Sequence, residues 1–409
     1  MKKKLIKTTA AILMAACMTG CGAEHFAGQH LEGMKSEYAE AAYVLENVSQ
    51  TSDVVAPKQQ EINTHTLNKE LFDEQGMSIW SGKNNTLLAL KEDTLYLYDV
   101  SSAQIKAETK TEHWNFVDFY PYKDGYCAIG QIRKGEPAVD TETGAGPQVM
   151  EVSEGNLECM GIFYDASLKE MSRISLYDVV ENADMAAWSV SPDGAMLGCF
   201  DQWEGLSIYD LGSQKKRNLL KPGNDGNCPE LLTMDAIFFD EDNSHIVFSG
   251  QTNQNGRTVA SWGRIGIDGT GLENHILQHN FGMAAGYGGG KLLLGEDSIF
   301  FKGGMGFVDA ETGKAVYKTD IKGALPMSGP FFSADGTVFA TAALDTNQME
   351  VTVWRTEDFS PLYKEVIQDD REEMFYRAPQ VCLFPDLGVC IVCMGGHNDI
   401  PQKTVLLNY

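Results

Sequence analysis

Several short patterns in this chain hold residue types that can do chemistry. Gly286-Tyr287-Gly288-Gly289-Gly290-Lys291-Leu292 approximates a phosphate loop, in which backbone N–H groups cradle phosphates and a lysine neutralises them. Ala285 and Leu292 stand where that pattern needs Gly and Ser or Thr, and no helical pattern follows, so the stretch is expected to be a structural turn. His275 and His279 have zinc-ligand spacing for a helix, but their segment alternates like a strand and loop and lacks a His-Glu partner. Asp240-Glu241-Asp242-Asn243 offers oxygens for calcium without EF-hand spacing, and is expected to be a solvated hairpin tip. Cys390 and Cys393 form a C-x-x-C inside an apolar run. In a strand their side chains point to opposite faces, whereas a redox pair needs a helix N-terminus to lower the thiol pKa. No Gly-x-Ser-x-Gly nucleophile elbow occurs. The sequence therefore assigns no catalytic residue, no resident metal and no cofactor, with calcium an unsupported option.

The remaining chemistry lies near the N-terminus. Lys2, Lys3, Lys4 and Lys7 precede an apolar run from Thr8 to Ala16, which is too short to span a membrane. The run ends in Ala16-Cys17-Met18-Thr19-Gly20-Cys21. This stretch resembles the lipobox of bacterial lipoproteins, with Met18 in place of the more usual Leu. The resemblance implies that residues 1–20 are a signal peptide and that Cys21 carries a diacylglyceryl (palmitate-type) group. Two or more acyl chains suffice for stable anchoring, at about 0.8 kcal/mol per buried methylene. The expected location is the extracytoplasmic face of a bacterial cell membrane.

The chain has 409 residues, with 32 basic and 57 acidic side chains and a formal charge of −25. Loss of residues 1–20 removes four lysines and no acid, leaving 28 basic against 57 acidic residues, a formal −29. Such a field disfavours nucleic acid and anionic headgroups. Seven cysteines follow Cys21, an odd number set mostly in apolar runs, which reads as buried thiols rather than a disulfide framework.

The elements that must position any site divide the rest. Residues 21–61 read as a stalk and linker with one short helix, because Leu31, Met34, Tyr38, Ala41, Leu45 and Val48 recur at alternating spacings of three and four. From Ile62 onward, short β-branched and aromatic runs alternate with Gly, Asp and Asn turns, the pattern of an all-β domain. Tight-turn sequences recur at Ser81-Gly82-Lys83, Pro121-Tyr122-Lys123, Ser191-Pro192-Asp193-Gly194, Asp240–Asn243, Gly288–Gly290, Ser333-Ala334-Asp335-Gly336 and Pro385-Asp386-Leu387. They stand about 40 to 52 residues apart, except for one gap of about 69. That is the period of four-stranded propeller blades. The long gap holds an insertion at about 133–157 in the second blade.

Trp188–Gly194, with its Trp-x-x-Ser-Pro-Asp-Gly order, resembles the repeat of TolB-type propellers. The strand-Tyr-Asp-turn units at Tyr98-Asp99 and Tyr209-Asp210 resemble WD-repeat blades, without their Gly-His and Trp-Asp signatures. The resemblance implies a β-propeller over 62–409. Seven four-stranded blades fit the count, with six or eight as the alternatives. The last blade shows three strands, Gln380–Phe384, Val389–Met394 and Lys403–Leu407, and its fourth is expected from Ile62–Leu67.

Propeller loops that join one blade to the next, and second strand to third, gather on one face. His113, Trp114, Trp203, Tyr287, Tyr376, Arg377 and His397 are the candidate contact residues there, with Asp201 and Arg371 nearby. The expected function is a lipid-anchored binding or scaffolding module for an envelope protein, a peptide or a glycan, with a funnel lyase or hydrolase as the alternative. Convergent titratable groups would separate the two.

Overall fold

The computed structural model describes residues 46–47, 67, 69–72, 77–111, 114–133, 157–176, 186–201, 204–221, 231–277, 281–296, 305–318, 330–345, 348–368, 379–394 and 403–409. A two-residue strand β1 (Glu46–Asn47) and a one-turn helix α1 (Lys69–Phe72) come first. Blade 1 holds β2 (Met77–Ser81), β3 (Thr86–Lys91), β4 (Thr94–Asp99) and β5 (Gln104–Lys110). Blade 2 holds β6 (Trp114–Tyr122), β7 (Gly125–Arg133), β8 (Leu157–Tyr164) and β9 (Glu170–Ser175). Blade 3 holds β10 (Ala187–Val190), β11 (Met196–Asp201), β12 (Gly205–Asp210) and β13 (Lys215–Leu220). Blade 4 holds β14 (Leu231–Phe239), β15 (His245–Gln254), β16 (Arg257–Gly266) and β17 (Glu273–Ile276). Blade 5 holds β18 (Phe281–Gly288), β19 (Lys291–Glu296), β20 (Met305–Asp309) and β21 (Ala315–Lys318). Blade 6 holds β22 (Phe331–Phe332), β23 (Val338–Asp345), β24 (Gln348–Arg355) and β25 (Pro361–Gln368). Blade 7 shows β26 (Gln380–Phe384), β27 (Val389–Met394) and β28 (Lys403–Asn408).

The strands of each blade form an antiparallel meander in chain order, with β1 added in parallel to the edge of blade 5, and the expected all-β propeller of seven blades is the observed fold. Seven apolar clusters form between neighbouring blades. One face of a strand packs on the preceding blade and the other on the following blade. In β27, Cys390 and Val392 pack toward blade 6 while Val389, Ile391 and Cys393 pack toward blade 1. The C-x-x-C thiols therefore point apart, as a strand requires. The ring closes between blades 7 and 1, where Leu71, Phe72, Met77, Ile79, Phe384 and Ile391 share one cluster. Ile79 N–H donates to Gln380 Oε1 across that seam at 3.0 Å. Leu67 packs on the same cluster, while 62–66, the rest of the expected closing strand, lies outside the described residues.

The Ser-x-Asp-Gly turns repeat as one hydrogen-bonded unit. Ser191 Oγ donates to Asp193 Oδ1 at 2.6 Å and accepts from Met196 N–H at 2.9 Å, while Asp193 also accepts from Ala195 N–H. Ser333, Asp335, Thr337 and Val338 reproduce it. Gly194 and Gly336 take φ of +70° and +67°, which side-chain-bearing residues resist. The blade 2 insertion joins β7 to β8, and those strands pair up to Arg133↔Leu157 at its mouth.

One expectation changes. Leu45 and Val48 were to belong to a helical seam, yet Glu46 and Asn47 between them pair in parallel with Val316 and Tyr317 of β21. A helix of fewer than three heptads is marginal alone. The open edge of an outermost strand offers unpaired backbone groups instead, and β21, Ala-Val-Tyr-Lys, is with β17 the shortest such edge among the described residues and carries one charged residue. The rest of 21–61 lies outside the described residues. Among the described residues no helix is long and apolar enough to cross a membrane.

Candidate functional site

Strands alternate in direction, so two faces of the ring differ in kind. The first-to-second and third-to-fourth strand turns form a hairpin face of short, self-bonded turns. The blade-to-blade and second-to-third strand connections form the opposite, loop face.

Tyr287 falls on the wrong side for a loop-face contact. It pairs with Leu292 one step before the β18–β19 hairpin and stacks on Phe238 at 5.9 Å between blades 4 and 5. Burial, with Asp240, Glu241, Asp242 and Asp309 nearby, pushes its phenol up. The signal was in the sequence, since Gly288–Gly290 follows at once. Trp114 opens β6 opposite Ile132, at the loop face. Asp201 ends β11 there, 3% exposed, and its carboxylate accepts from Glu204 N–H at 3.0 Å, which places it as a turn cap. Cys21, His113, Trp203, Arg371, Tyr376, Arg377 and His397 lie outside the described residues.

The other chemical patterns resolve into architecture. Lys291 Nζ ion-pairs with Asp309 Oδ2 at 2.6 Å. Burial raises the Asp309 carboxyl, but Lys291 and Thr312 outweigh it and hold it down to about 2. His275 lies flat on Trp262, ring centroids 4.8 Å apart, with Nε2 3.4 Å from Glu273 Oε2. Asp240, Asp242 and His245 bring ligand atoms within 4.8 Å of one another. Asp240 Oδ1 accepts from Ser244 and His245 N–H at 2.8 and 3.0 Å, and Oδ2 accepts from Ser244 Oγ at 2.9 Å. The turn's own donors thus engage this carboxylate on the hairpin face.

The loop-facing ends of blades 2–4 differ from those of blades 7 and 1. Blades 7 and 1 bury Val381, Val392, Met394, Met77 and Leu95 at this level, with Thr111, whose hydroxyl donates to the Asp93 carbonyl at 2.9 Å, the buried polar side chain among the described residues there. Blades 2–4 bury Gln131, Asp201, Ser207, Ser249, Thr252, Gln254 and Ser261. Ser207 Oγ donates to Asn218 Oδ1 at 3.0 Å. Thr252 Oγ1 donates to Ser261 Oγ at 2.8 Å and accepts from Asn274 Nδ2 at 2.9 Å. β15 and β16 stay paired to Gln254↔Arg257, four residues longer than β11 and β12. At about 3.3 Å per residue the blade 4 hairpin reaches roughly 13 Å further toward the loop face. It turns on Asn255 and Gly256, both at positive φ, the geometry of a two-residue hairpin.

Two carboxyls on innermost strands stand out. Asp118 follows a bulge in β6, opposite Ile129. Burial pushes its carboxyl up to about 6 against bonds from Tyr120 and from Phe119 N–H, the latter at 2.8 Å. The Tyr120 hydroxyl also lies 3.2 Å from the Trp188 carbonyl of blade 3, so its one proton is shared between that carbonyl and Asp118. Asp235 sits in a second bulge, in β14, and burial lifts it likewise to about 6. Nothing in the spacing of the sequence marks these two carboxyls, because a bulge is decided by the partner strand.

No family model matches this chain, and no curated protein does. Solved structures do. The β-propeller domain of Cps50 (Swd1) from Myceliophteria thermophila aligns with a TM-score of 0.52 at 9% identity, over 82% of this chain and 96% of that one. Hydrazine synthase of Kuenenia stuttgartiensis aligns at 0.48 and 13% identity, over 85% and 98%. The β-propeller domain of the Trilobed protease from Pyrococcus furiosus aligns at 0.42 and 10% identity, over 73% and 82%. The first likeness is one of fold: this protein is a seven-bladed β-propeller.

Proposed function

We propose that the protein is a bacterial lipoprotein, held at the outer face of the cytoplasmic membrane through Cys21. Its propeller is a binding or scaffolding module for an envelope protein, peptide or glycan. The observation that carries the binding role is the asymmetry of the ring. Buried polar groups are more numerous at the loop-facing ends of blades 2–4, beside a projecting hairpin, than in blades 7 and 1, where Thr111 is the buried polar side chain at this level among the described residues. Burying such groups costs free energy unless they are bonded, and a fold that only needed to close would fill these positions with apolar side chains. The tether reading is supported by the residues from Lys2 to Cys21.

The test is crosslinking of the full chain in its native membrane, followed by mass spectrometry, beside a Cys21→Ala variant fed labelled palmitate. Label on the wild type alone, with crosslinks mapping to blade 2–4 loops, is the expected result. Label retained by Cys21→Ala refutes the anchor. Crosslinks confined to the hairpin face refute the binding surface.

A further inference from the structure

The β14 bulges expose a set of oxygens that the fold itself leaves underused. Pairing skips between Leu231 and Thr233 and again between Met234 and Ala236, so Asp235 has no cross-strand partner. Met234 packs toward blade 3. Its neighbour Thr233 therefore turns toward blade 5. Asp235 is tied to that face, because Thr233 Oγ1 donates to its Oδ1 at 3.4 Å. Ser249 belongs to the same face. It pairs with Ala236 and Trp262, and Val247, two residues before it, packs with Trp262 in the cluster between blades 4 and 5.

Ser249 is 4% exposed and its hydroxyl has no hydrogen-bond partner among the described residues. Asp235 is half-buried on an innermost strand, which opens on the central channel. Among the described residues no Lys or Arg pairs with it, in a chain that carries 57 acids against 32 bases. Three oxygen-bearing groups thus share one face: a carboxylate with one long bond, a threonine hydroxyl with free lone pairs, and a buried serine hydroxyl without a hydrogen-bond partner among the described residues.

That set matches one ligand chemistry. A primary ammonium carries three N–H donors and no acceptor. Calcium takes six to eight oxygens, and one carboxylate with two hydroxyls falls short of that. We propose that Thr233, Asp235 and Ser249 form a pocket for a primary alkylammonium group entering along the channel. The group is either a lysine side chain of a bound partner or a free amine. The inference rests on the loop face being the binding face, and not on the lipid anchor.

The experiment is calorimetric titration of the detergent-solubilised full chain with three compounds: Nα-acetyl-lysine amide, its Nε-acetylated form and n-butylamine. Saturable binding of an amine is expected, with at least a tenfold loss for the Nε-acetylated compound and for Asp235→Asn, and a loss of threefold or more for Ser249→Ala. Tighter binding of the lysine compound names a partner side chain as the source, and tighter butylamine names a free amine. Absence of saturable amine binding, or equal affinity in a folded Asp235→Asn, overturns the proposal. Should that variant misfold, Ser249→Ala and the Nε-acetylated compound decide the matter alone. Loop-face crosslinks that persist without amine binding leave the wider reading intact and remove only this pocket.

Discussion

Asp235→Asn separates the cost of a buried carboxyl from its use. Burial lifts this carboxyl from its usual 3.8 to about 6, with the Thr233 bond acting in the opposite sense. The folded protein therefore holds the proton more tightly than the unfolded chain does. Stability is undiminished while both states are protonated, is lost as pH rises from about 4 to about 6, and stays at the lower level above that. At about 1.36 kcal/mol per pH unit the loss is about 3 kcal/mol, and water in the channel reduces it to roughly 2 kcal/mol. Asparagine keeps the shape and the Thr233 contact and does not ionise. The variant should be about 2 kcal/mol more stable than wild type at pH 7.5, with the difference shrinking toward zero at pH 4. Urea unfolding followed by fluorescence and far-UV circular dichroism, at four pH values between 4 and 7.5, measures this. A difference that does not change with pH, or a variant less stable at pH 7.5, would refute the reasoning. A carboxyl retained at such a cost is the kind of group that function preserves against stability.

Two further outcomes follow from described geometry. Ser191→Ala removes a charge-assisted bond to Asp193 and strands the Met196 N–H, at a cost of about 2–3 kcal/mol at neutral pH. Ser191, and then the Ala195 N–H, hold the Asp193 carboxyl below its usual value. The stabilisation is therefore present above about 3.8 and lost as pH falls through the folded value. The gap between wild type and variant in denaturant unfolding should narrow in acid, and a gap below about 0.5 kcal/mol at pH 7 would count against the turn's role. Burial pushes the Cys127 and Cys382 thiols up to about 12. Both should resist maleimide at pH 8 in the native protein and react fully in denaturant, with mass spectrometry reading each site. Native labelling at either position would contradict the packed blade interfaces.

Strand positions were legible because they are local. Gln380–Phe384 and Val389–Met394 match the observed β26 and β27 to the residue. Alternation and the intervening Pro385–Gly388 turn depend only on neighbours in sequence. The candidate site was far less legible. Aromatic and ionisable residues flag loops but not faces, and Tyr287 went to the hairpin side on one turn's difference. Asp118 and Asp235 look like ordinary strand acids until the pairing of β6 and β14 shows an extra residue beside or at each.

By itself, then, the order of residues determined the blades. The turn chemistry of Ser191–Gly194 and Ser333–Gly336, the two-residue alternation between turns and the parity that sends Cys390 and Cys393 to opposite faces are all short-range. Only the tertiary structure decided that β21 takes Glu46–Asn47 onto its edge. It also decided that Leu71 and Phe72 seal the seam of the ring, and that Thr233, Asp235 and Ser249 share a face. Those outcomes depend on which strand lies alongside, and a slip of one residue in that pairing exchanges the buried face for the other.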